Sequence, residues 1–314
     1  MSCVGLLYFS SCSLLIHPDR DQCSVDADCL ALGLQGKCSA GLCIPPVCKG
    51  EPGCQFESDP TVECGADREC GDSPARSCWR GHCVAQVQVE PFECTAETPV
   101  RMTEVPFTTH VREAGSPRAP KGLVVKACRA SDLECSDPYK AVEDIAGNGE
   151  ITLLLPWGFS GYLEFSSNGM LGLLYYMSRP VTEPIETESM SLLTPEERAA
   201  TAMISRQPVD LEKTGMVLAQ MHDCSGTPAP GVRFEIDKPR PRPYFVVDGE
   251  PSADADVSVF DPDRREAQGG FLNVEPGVAL VRARLGLDGP ILGQANLLVR
   301  PKTITQLEIF PYLQ

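Results

Sequence analysis

The cysteines in the first third of the 314-residue chain form a ladder that occurs twice. Four of them are separated by five, eight and four residues, and four more by five, seven and four residues. The two sets are Cys23, Cys29, Cys38 and Cys43, and Cys64, Cys70, Cys78 and Cys83. Equivalent cysteines lie 40 or 41 positions apart, which predicts two copies of one small module. A module this short cannot bury a core of its own, so covalent links must hold it.

Disulfides explain these modules better than zinc does. Zinc ligands usually come as cysteine pairs about two to four residues apart, whereas the inner gaps here are five, seven and eight. Sixteen cysteines in one chain also indicate an oxidising compartment. Outside the ladder, Cys128 and Cys135 close a short loop, and we predict a bridge between them. Cys224 either reaches Cys94 or stays a free thiol.

A short apolar run near the N-terminus, Val4 to Phe9, is followed by Ser10, Ser11 and Cys12. This pattern resembles the end of a bacterial lipoprotein signal, in which small residues precede a lipidated cysteine. The resemblance implies that Cys12 is a lipid anchor, with Ser13 to Gln22 as a tether, on an extracytoplasmic protein of the outer membrane or cell surface. The run is shorter than the roughly 7–15 residues of a signal peptide and lacks a basic start, so we expect the true start to lie upstream. A disordered tail is the alternative.

Charge and hydropathy argue against two kinds of interaction. The formal net charge is −16 and no cluster of lysines and arginines is present, so a nucleic-acid partner is not expected. No apolar run reaches the roughly 18 residues of a membrane-spanning helix. We therefore expect contact with a membrane to be made by the lipid.

Strand patterns begin where the cysteines become sparse. Residues 23–94 hold the two cysteine-rich modules, and from residue 95 onward apolar and polar residues alternate with a period of two. The clearest alternation lies at residues 123–127, 151–155 and 162–165. This periodicity predicts a first β-sandwich over residues 95–192.

One helix is predicted between two β-rich regions. Thr194 has the position of an N-cap, Pro195 that of the first helical residue, and Glu197 completes a capping box. We interpret residues 193–209 as a helical connector.

A second β-sandwich is predicted over residues 210–314. Period-two alternation, typical of half-buried antiparallel strands, recurs at residues 232–236, 281–285 and 305–309. We also expect the first strand of each sandwich to end at a cysteine, Cys128 in one and Cys224 in the other.

The stretch Gly269 to Gly277 has the pattern of turn, strand and turn. Its two leading glycines favour a tight turn, Phe271 and Val274 are strand formers, and Pro276-Gly277 turns the chain back. Residues 144–158 show a similar order of glycines, strand and Pro-x-Gly. We infer that one sandwich fold occurs twice.

The residues from Gly269 to Gly277 resemble the carboxypeptidase regulatory-like domain, a transthyretin-like β-sandwich with a glycine turn and an Asn-Val-x-Pro-Gly strand end. The resemblance implies a non-catalytic accessory or adhesive module without fixed functional residues. The predicted fold class is mainly β: small disulfide-rich modules, then two transthyretin-like antiparallel β-sandwiches joined by a short helix.

No catalytic site, metal site or cofactor is expected. The four histidines are scattered, and the common zinc, nucleophile, phosphate-loop and dinucleotide motifs are absent. His222 beside Asp223 suggests a general base, but without an identifiable nucleophile nearby we expect a surface histidine. Trp157, Tyr175 and Tyr176 are candidate contact residues for a protein or carbohydrate, and covering the end of the core is the alternative for Trp157.

Two functional hypotheses remain. The leading one is an exported, lipid-anchored structural or interaction protein of the cell surface that is not an enzyme. The alternative is a non-catalytic accessory subunit of a secreted hydrolase. The acidic loop from Asp248 to Gln268 is a further candidate contact surface, with solvated charge as the simpler explanation.

Overall fold

The computed structural model describes most of the chain beyond residue 100. Side chains and backbone are described for residues 90–94, 100–144, 146–204, 206, 210, 212–239 and 242–311, with the side chains of residues 90, 188 and 242 left out, and the backbone alone for residues 37–39, 42–44, 76–79 and 82–85. Strands dominate this part of the chain, which contains one α-helix. The mainly-β prediction is confirmed.

Two short hairpins lie in the cysteine-rich region. They are β1 (Lys37–Ser39) with β2 (Leu42–Ile44), and β3 (Arg76–Trp79) with β4 (His82–Ala85). Cys38 is directly opposite Cys43 in the first hairpin, and Cys78 is directly opposite Cys83 in the second. The same register in both hairpins supports two copies of one module.

The first sandwich has seven strands in two layers. They are β5 (Glu104–Glu113), β6 (Val124–Arg129), β7 (Lys140–Glu143), β8 (Glu150–Pro156), β9 (Gly161–Ser166), β10 (Gly172–Met177) and β11 (Ile185–Leu192). One layer is a three-stranded sheet in the order β11-β5-β8, and the other has the order β10-β9-β6-β7. Alternate residues of β5 and β8 are buried, as period-two strands require.

A short helix, α1 (Pro195–Ile204), follows the first sandwich. The Thr194 amide donates to Glu197 Oε2 at 2.7 Å, and the Glu197 amide donates to Thr194 Oγ1 at 3.2 Å. These two bonds satisfy amides that a helix N-terminus leaves without a partner, so the predicted capping box is confirmed. The helix packs on the sheet through the buried side chains of Arg198 and Ala202.

The second sandwich has eight strands. They are β12 (Gly215–Met221), β13 (Val232–Ile236), β14 (Arg242–Val247), β15 (Glu250–Ser252), β16 (Gln268–Val274), β17 (Gly277–Leu285), β18 (Ile291–Val299) and β19 (Thr303–Ile309). One layer is a three-stranded sheet in the order β13-β17-β18, and the other has the order β15-β14-β16-β12-β19.

The two sandwiches share one continuous sheet of nine strands. β10 of the first sandwich pairs in parallel with β19 of the second over six residue pairs, giving the order β15-β14-β16-β12-β19-β10-β9-β6-β7. The sheet β11-β5-β8 covers one face and the sheet β13-β17-β18 covers the other. Neighbouring residues of β10 therefore lie in different cores. Tyr175 lies in the core beneath the sheet β11-β5-β8, and Tyr176 lies in the core beneath the sheet β13-β17-β18.

The strand pairing is similar in the two sandwiches. In each, the first strand lies between the last strand, which is parallel to it, and a later antiparallel strand: β11-β5-β8 in one and β19-β12-β16 in the other. The second strand of each sandwich pairs with a hairpin, β9-β10 or β17-β18. This shared pattern supports the inference that one sandwich fold occurs twice.

Two details of the expected strands were wrong. The sheets are mixed rather than antiparallel, because β5 with β11, β12 with β19, and β10 with β19 are parallel pairs. The cysteines are also not equivalent, because Cys128 lies in the second strand of its sandwich whereas Cys224 follows the first strand.

The glycines before Phe271 have a different role from the expected tight turn. Gly269 and Gly270 lie inside β16. A Cβ atom on Gly270 would lie 2.0 Å from the Val217 carbonyl oxygen, and one on Gly269 would lie 2.5 Å from the Phe245 ring. These positions require glycine because neighbouring groups approach closely. The turn itself is made at Gly277, whose φ is 114°.

Within the described residues, no helix is both long and apolar enough to cross a membrane.

Candidate functional site

The carboxyl ends of three parallel strands meet near the centre of the nine-stranded sheet. β10, β19 and β12 are neighbours, and their register places Met177, Glu308 and Gln220 in one row. Because β19 is covered on both faces, Glu308 is only 6% exposed, although its alternation with apolar residues predicted a half-buried strand. A carboxylate at this depth requires partners.

His222 is the main partner of Glu308. Its Nε2 atom lies 2.5 Å from Glu308 Oε2, and its Nδ1 atom lies 2.9 Å from the carbonyl oxygen of Gly226. The side-chain amides of Gln220 and Gln306 donate to the same carboxylate at 3.4 and 3.0 Å. The His222 side chain is 13% exposed, so the expected surface histidine is instead part of a nearly buried network.

The partners of His222 favour its charged form. Both ring nitrogens face oxygen atoms that accept hydrogen bonds, so the ring donates twice as an imidazolium. Burial lowers the pKa of His222 by desolvation and Arg179 lowers it further, but the hydrogen bond and charge of Glu308 and the Gly226 carbonyl outweigh them and raise it. The pair is therefore an ion pair that joins the end of β12 to the end of β19.

Phe310 and Arg179 cover this ion pair. The Phe310 ring is stacked on the His222 ring, with centroids 4.8 Å apart, and the Arg179 guanidinium carbon lies 3.9 Å from the Phe310 centroid. The backbone amide of Phe310 donates to Ser178 Oγ at 2.8 Å. These contacts connect the ends of β10 and β19 and limit the access of water to the ion pair.

A disulfide is formed just beyond His222. Cys224 is bonded to Cys94 across a separation of 130 residues, the first of the two alternatives for Cys224. Cys94 follows a 3-10 turn at Glu90–Phe92, whose Pro91 carbonyl accepts a hydrogen bond from the Cys224 amide at 2.8 Å. Phe92 is buried in the core between the nine-stranded sheet and the sheet β13-β17-β18. Residues that precede the first sandwich in the chain are thus already packed in the second sandwich.

A groove lies beside this disulfide. Its volume is about 690 Å³, and its wall includes Pro91, Phe92, Pro228, Pro230, Val257 and Leu285. Most of the wall is apolar, and Asp223 supplies a carboxylate. The Asp223 side chain accepts hydrogen bonds from the Ser225 and Thr227 amides, which fixes the loop that carries Cys224. Such a groove suits an apolar segment of a partner better than a charged substrate.

The site lacks the arrangement of a hydrolase triad. In the described part of the chain, no serine, threonine or cysteine side chain is hydrogen-bonded to His222, and both ring nitrogens are already engaged. A general base needs a free acceptor nitrogen and a nucleophile within hydrogen-bond reach. The His222–Glu308 pair links the end of β12 to the end of β19.

The aromatic residues expected at a contact surface are buried. Trp157, Tyr175 and Tyr176 are 8%, 4% and 8% exposed. Trp157 packs in the core of the first sandwich, which is the alternative considered for it. Tyr175 and Tyr176 lie in a strand that is covered on both faces, so both side chains pack in the core. The contact-surface prediction for these three residues is wrong.

The other predicted site residues divide into two groups. Cys128 and Cys135 form the bridge predicted for them, across a separation of seven residues. The anchor cysteine Cys12 and the side chains of the ladder cysteines lie outside the described residues.

Sequence reasoning missed Glu308, Gln220 and the groove. Glu308 and Gln220 read as ordinary outward positions of half-buried strands, and the partner of Glu308 lies 86 residues away in the chain. One signal was present, because strands covered on both faces have nearly continuous apolar runs. Residues 171–177 and 215–219 contain such runs.

One group of described residues has the spacing of metal ligands, namely Cys128, Cys135 and Glu164. The two sulfur atoms are bonded to each other, so they are not thiolates and cannot ligate a metal in this state.

The acidic loop makes local contacts. The Asp261 carboxylate accepts hydrogen bonds from the amides of Asp263 and Arg264, and its other oxygen lies 3.9 Å from the Arg264 guanidinium. Within the loop, these contacts stabilise a turn.

Comparisons with known proteins do not identify a family. No protein-family model matches the chain, and no curated protein matches it. Among solved structures, the Bacillus anthracis TIE protein is 10% identical over 68% of this chain and 35% of that chain, with a TM-score of 0.20.

Two pilins give similar values. The minor pilin GBS52 of Streptococcus agalactiae is 13% identical over 67% of this chain and 97% of that chain, with a TM-score of 0.20. The shaft pilin SpaA of Lactobacillus rhamnosus GG is 9% identical over 67% of this chain and 97% of that chain, also with a TM-score of 0.20. The chain spans about a third of the TIE protein, and TM-scores of 0.20 are too low to assign its fold family or its function.

Proposed function

We propose that this chain is a non-catalytic structural or interaction protein outside the cytoplasmic membrane, tethered to a bacterial cell surface through a lipid on Cys12. The observation that supports it most is the Cys94–Cys224 disulfide, which joins the end of the cysteine-rich region to the second sandwich. Disulfides of this kind persist in oxidising compartments. The anchor itself rests on the residues Ser10, Ser11 and Cys12.

Mass spectrometry of the natural N-terminus tests the proposal. A mature chain that begins at Cys12 with attached acyl groups supports it, since a single lipidated cysteine with several chains holds a protein on a membrane without a spanning helix. Recovery of an unmodified Met1 on a protein with reduced cysteines would rule out both the anchor and the extracytoplasmic location.

The groove beside Cys224 is the proposed contact surface for a protein partner. Its apolar wall and fixed loop favour an apolar segment over a sugar, which needs several convergent polar groups. A secreted hydrolase that docks there is the second candidate, in which the sandwiches serve as its accessory subunit. Pull-down from the native envelope separates the two, because a stoichiometric enzyme partner would favour the accessory-subunit hypothesis.

We also propose that both sandwiches are carboxypeptidase regulatory-like domains. The support is the strand β16 followed by the turn at Gly277 and the strand β17, in the order of that family's signature. An experimental structure of the second sandwich that superposes poorly on such domains would refute the assignment.

A further inference from the structure

We propose that the Cys94–Cys224 disulfide carries tension from the N-terminal segment directly into the second sandwich, so that the first sandwich lies outside the load path. This inference rests on the proposed surface tether, because a tethered protein is pulled through its N-terminal segment whenever its partner moves.

The N-terminal segment is fixed to the second sandwich in three ways. The disulfide joins Cys94 to Cys224 with a Cα–Cα distance of 5.1 Å. The Pro91 carbonyl accepts the Cys224 amide at 2.8 Å. The Phe92 side chain is buried with residues of the second sandwich. A pull on Glu90 therefore reaches Cys224 through a covalent bond before it reaches the first strand, β5.

The loop closed by this disulfide contains the whole first sandwich. All seven strands from β5 to β11, helix α1 and β12 lie between Cys94 and Cys224. Covalent bonds do not extend under the forces that unfold domains, so tension along the chain leaves this loop at constant length. The backbone of the first sandwich then bears no tension and adds no length, although its strand β10 still pairs with β19 of the loaded second sandwich.

The point where the load enters is reinforced. His222 lies two residues before Cys224, its amide donates to the Ile309 carbonyl at 2.8 Å, and its ring forms the ion pair with Glu308. The stacking of His222 on Phe310 adds a third contact at the same place. Force that arrives at Cys224 is thus passed to the end of β19 through a backbone hydrogen bond, an ion pair and a ring contact.

Single-molecule stretching of the full chain, held by handles at both ends under non-reducing conditions, tests the inference. The comparison is between the natural chain and a Cys94→Ala/Cys224→Ala variant. The variant should reach a stretched length about 43 nm greater, at ~3.5 Å per residue, because the loop opens while the Cys128–Cys135 bridge stays closed. Gains in length from unfolding of the first sandwich should occur in the variant alone, because the closed loop prevents them in the natural chain.

A Cys128→Ala/Cys135→Ala variant is the matched control. Its seven-residue loop lies inside the closed region, so it should add no length to the natural chain and about 2.5 nm to the Cys94→Ala/Cys224→Ala variant. Circular dichroism before stretching establishes that each variant is folded.

Equal stretched lengths for the natural chain and the Cys94→Ala/Cys224→Ala variant would overturn the load path. That result would leave the lipid anchor standing, because the anchor is tested separately by the mass of the natural N-terminus. An unmodified N-terminus together with the 43 nm difference in stretched length would instead refute the tether but support the closed loop.

Discussion

Arg300, in the turn between β18 and β19, forms an ion pair with Glu164 of β9, with a distance of 2.6 Å from Nη1 to Oε2. The guanidinium also donates to the Tyr162 hydroxyl at 2.9 Å and to the Leu133 carbonyl. Burial raises the pKa of Tyr162 to about 12, so its hydroxyl stays protonated and donates to the Asp132 carbonyl at 2.6 Å. One side chain of the second sandwich thereby holds three groups of the first.

Replacement of Arg300 by methionine should destabilise the protein substantially. The change leaves the Glu164 carboxylate, whose side chain is 16% exposed, without its main cation. We expect the free energy of unfolding to fall by about 2–3 kcal/mol, because an unpaired charge that is mostly buried is costly. Urea unfolding followed by circular dichroism measures the change.

The control for this variant is Arg118→Met. Arg118 pairs with Glu113 while 80% exposed, and exposed pairs contribute about 0.5 kcal/mol or less. Equal losses in the two variants would show that the Arg300 contacts do not connect the sandwiches.

The ion pair between His222 and Glu308 should make stability depend on pH. The pKa of His222 is raised in the folded state, so the histidine binds its proton more tightly there than in the unfolded chain. Its contribution is fully present below the unfolded pKa of about 6.5 and is lost as pH rises through the folded pKa. The difference in unfolding free energy between the natural chain and His222→Gln should therefore be largest in mildly acidic solution.

Urea titrations at several pH values between mildly acidic and mildly alkaline measure this difference. The matched control is His110→Gln, since His110 is partly exposed and contacts the Asn148 carbonyl at 3.0 Å. A pH-independent difference for His222→Gln would contradict the charged state assigned to the ring.

Replacement of Gly270 by alanine should destabilise the protein near the centre of the nine-stranded sheet. Its Cβ atom would lie 2.0 Å from the Val217 carbonyl oxygen and 3.0 Å from the Val217 carbonyl carbon, and neither backbone atom can move without disturbing β12. We expect a loss of about 3 kcal/mol, at the upper end of the range for overpacking. Thermal unfolding detects a loss of this size.

Gly147→Ala is the comparison for this variant. Gly147 has a positive φ, 68°, which Gly270 does not have, and nothing lies within 4 Å of a Cβ atom added to Gly147. Backbone strain alone should cost about 1 kcal/mol. If Gly270→Ala lowered the unfolding free energy no more than Gly147→Ala does, the result would contradict the close approach of β16 to β12.

For the capping box at Thr194 we predict a smaller loss of stability. Thr194→Ala removes the acceptor for the Glu197 amide and should cost about 1 kcal/mol, whereas Thr194→Ser keeps the hydroxyl and should cost a few tenths. Chemical denaturation of the two variants distinguishes them. Indistinguishable alanine and serine variants would argue against the hydrogen bond.

Local patterns in the sequence predicted much of the fold. Period-two alternation predicted β6, β8, β9, β13, β17 and β19, and the capping box predicted α1, because both signals depend on neighbouring residues. The strand β5 was missed although Val105, Phe107, Thr109 and Val111 are all buried at alternate positions. Its Pro106 is a residue that argues against a paired strand.

The continuous sheet could not be predicted in this way. The pairing of β10 with β19 joins residues more than 100 positions apart, and neither strand carries a local signal for its partner. Burial of Tyr175 on one face and Tyr176 on the other follows from this pairing. The same pairing buries Glu308 and brings His222 to it, so the candidate site depends on contacts that a single sequence does not encode locally.

Peptide mapping without reduction, on protein purified from its natural source with free thiols blocked, tests the central claim most directly. That claim is that the N-terminal segment is covalently joined to the second sandwich in an oxidising compartment. Besides any links within the cysteine-rich modules, we predict a linked pair containing Cys94 and Cys224 and another containing Cys128 and Cys135. A Cys128–Cys224 link, or blocked free thiols at Cys94 and Cys224, would contradict it.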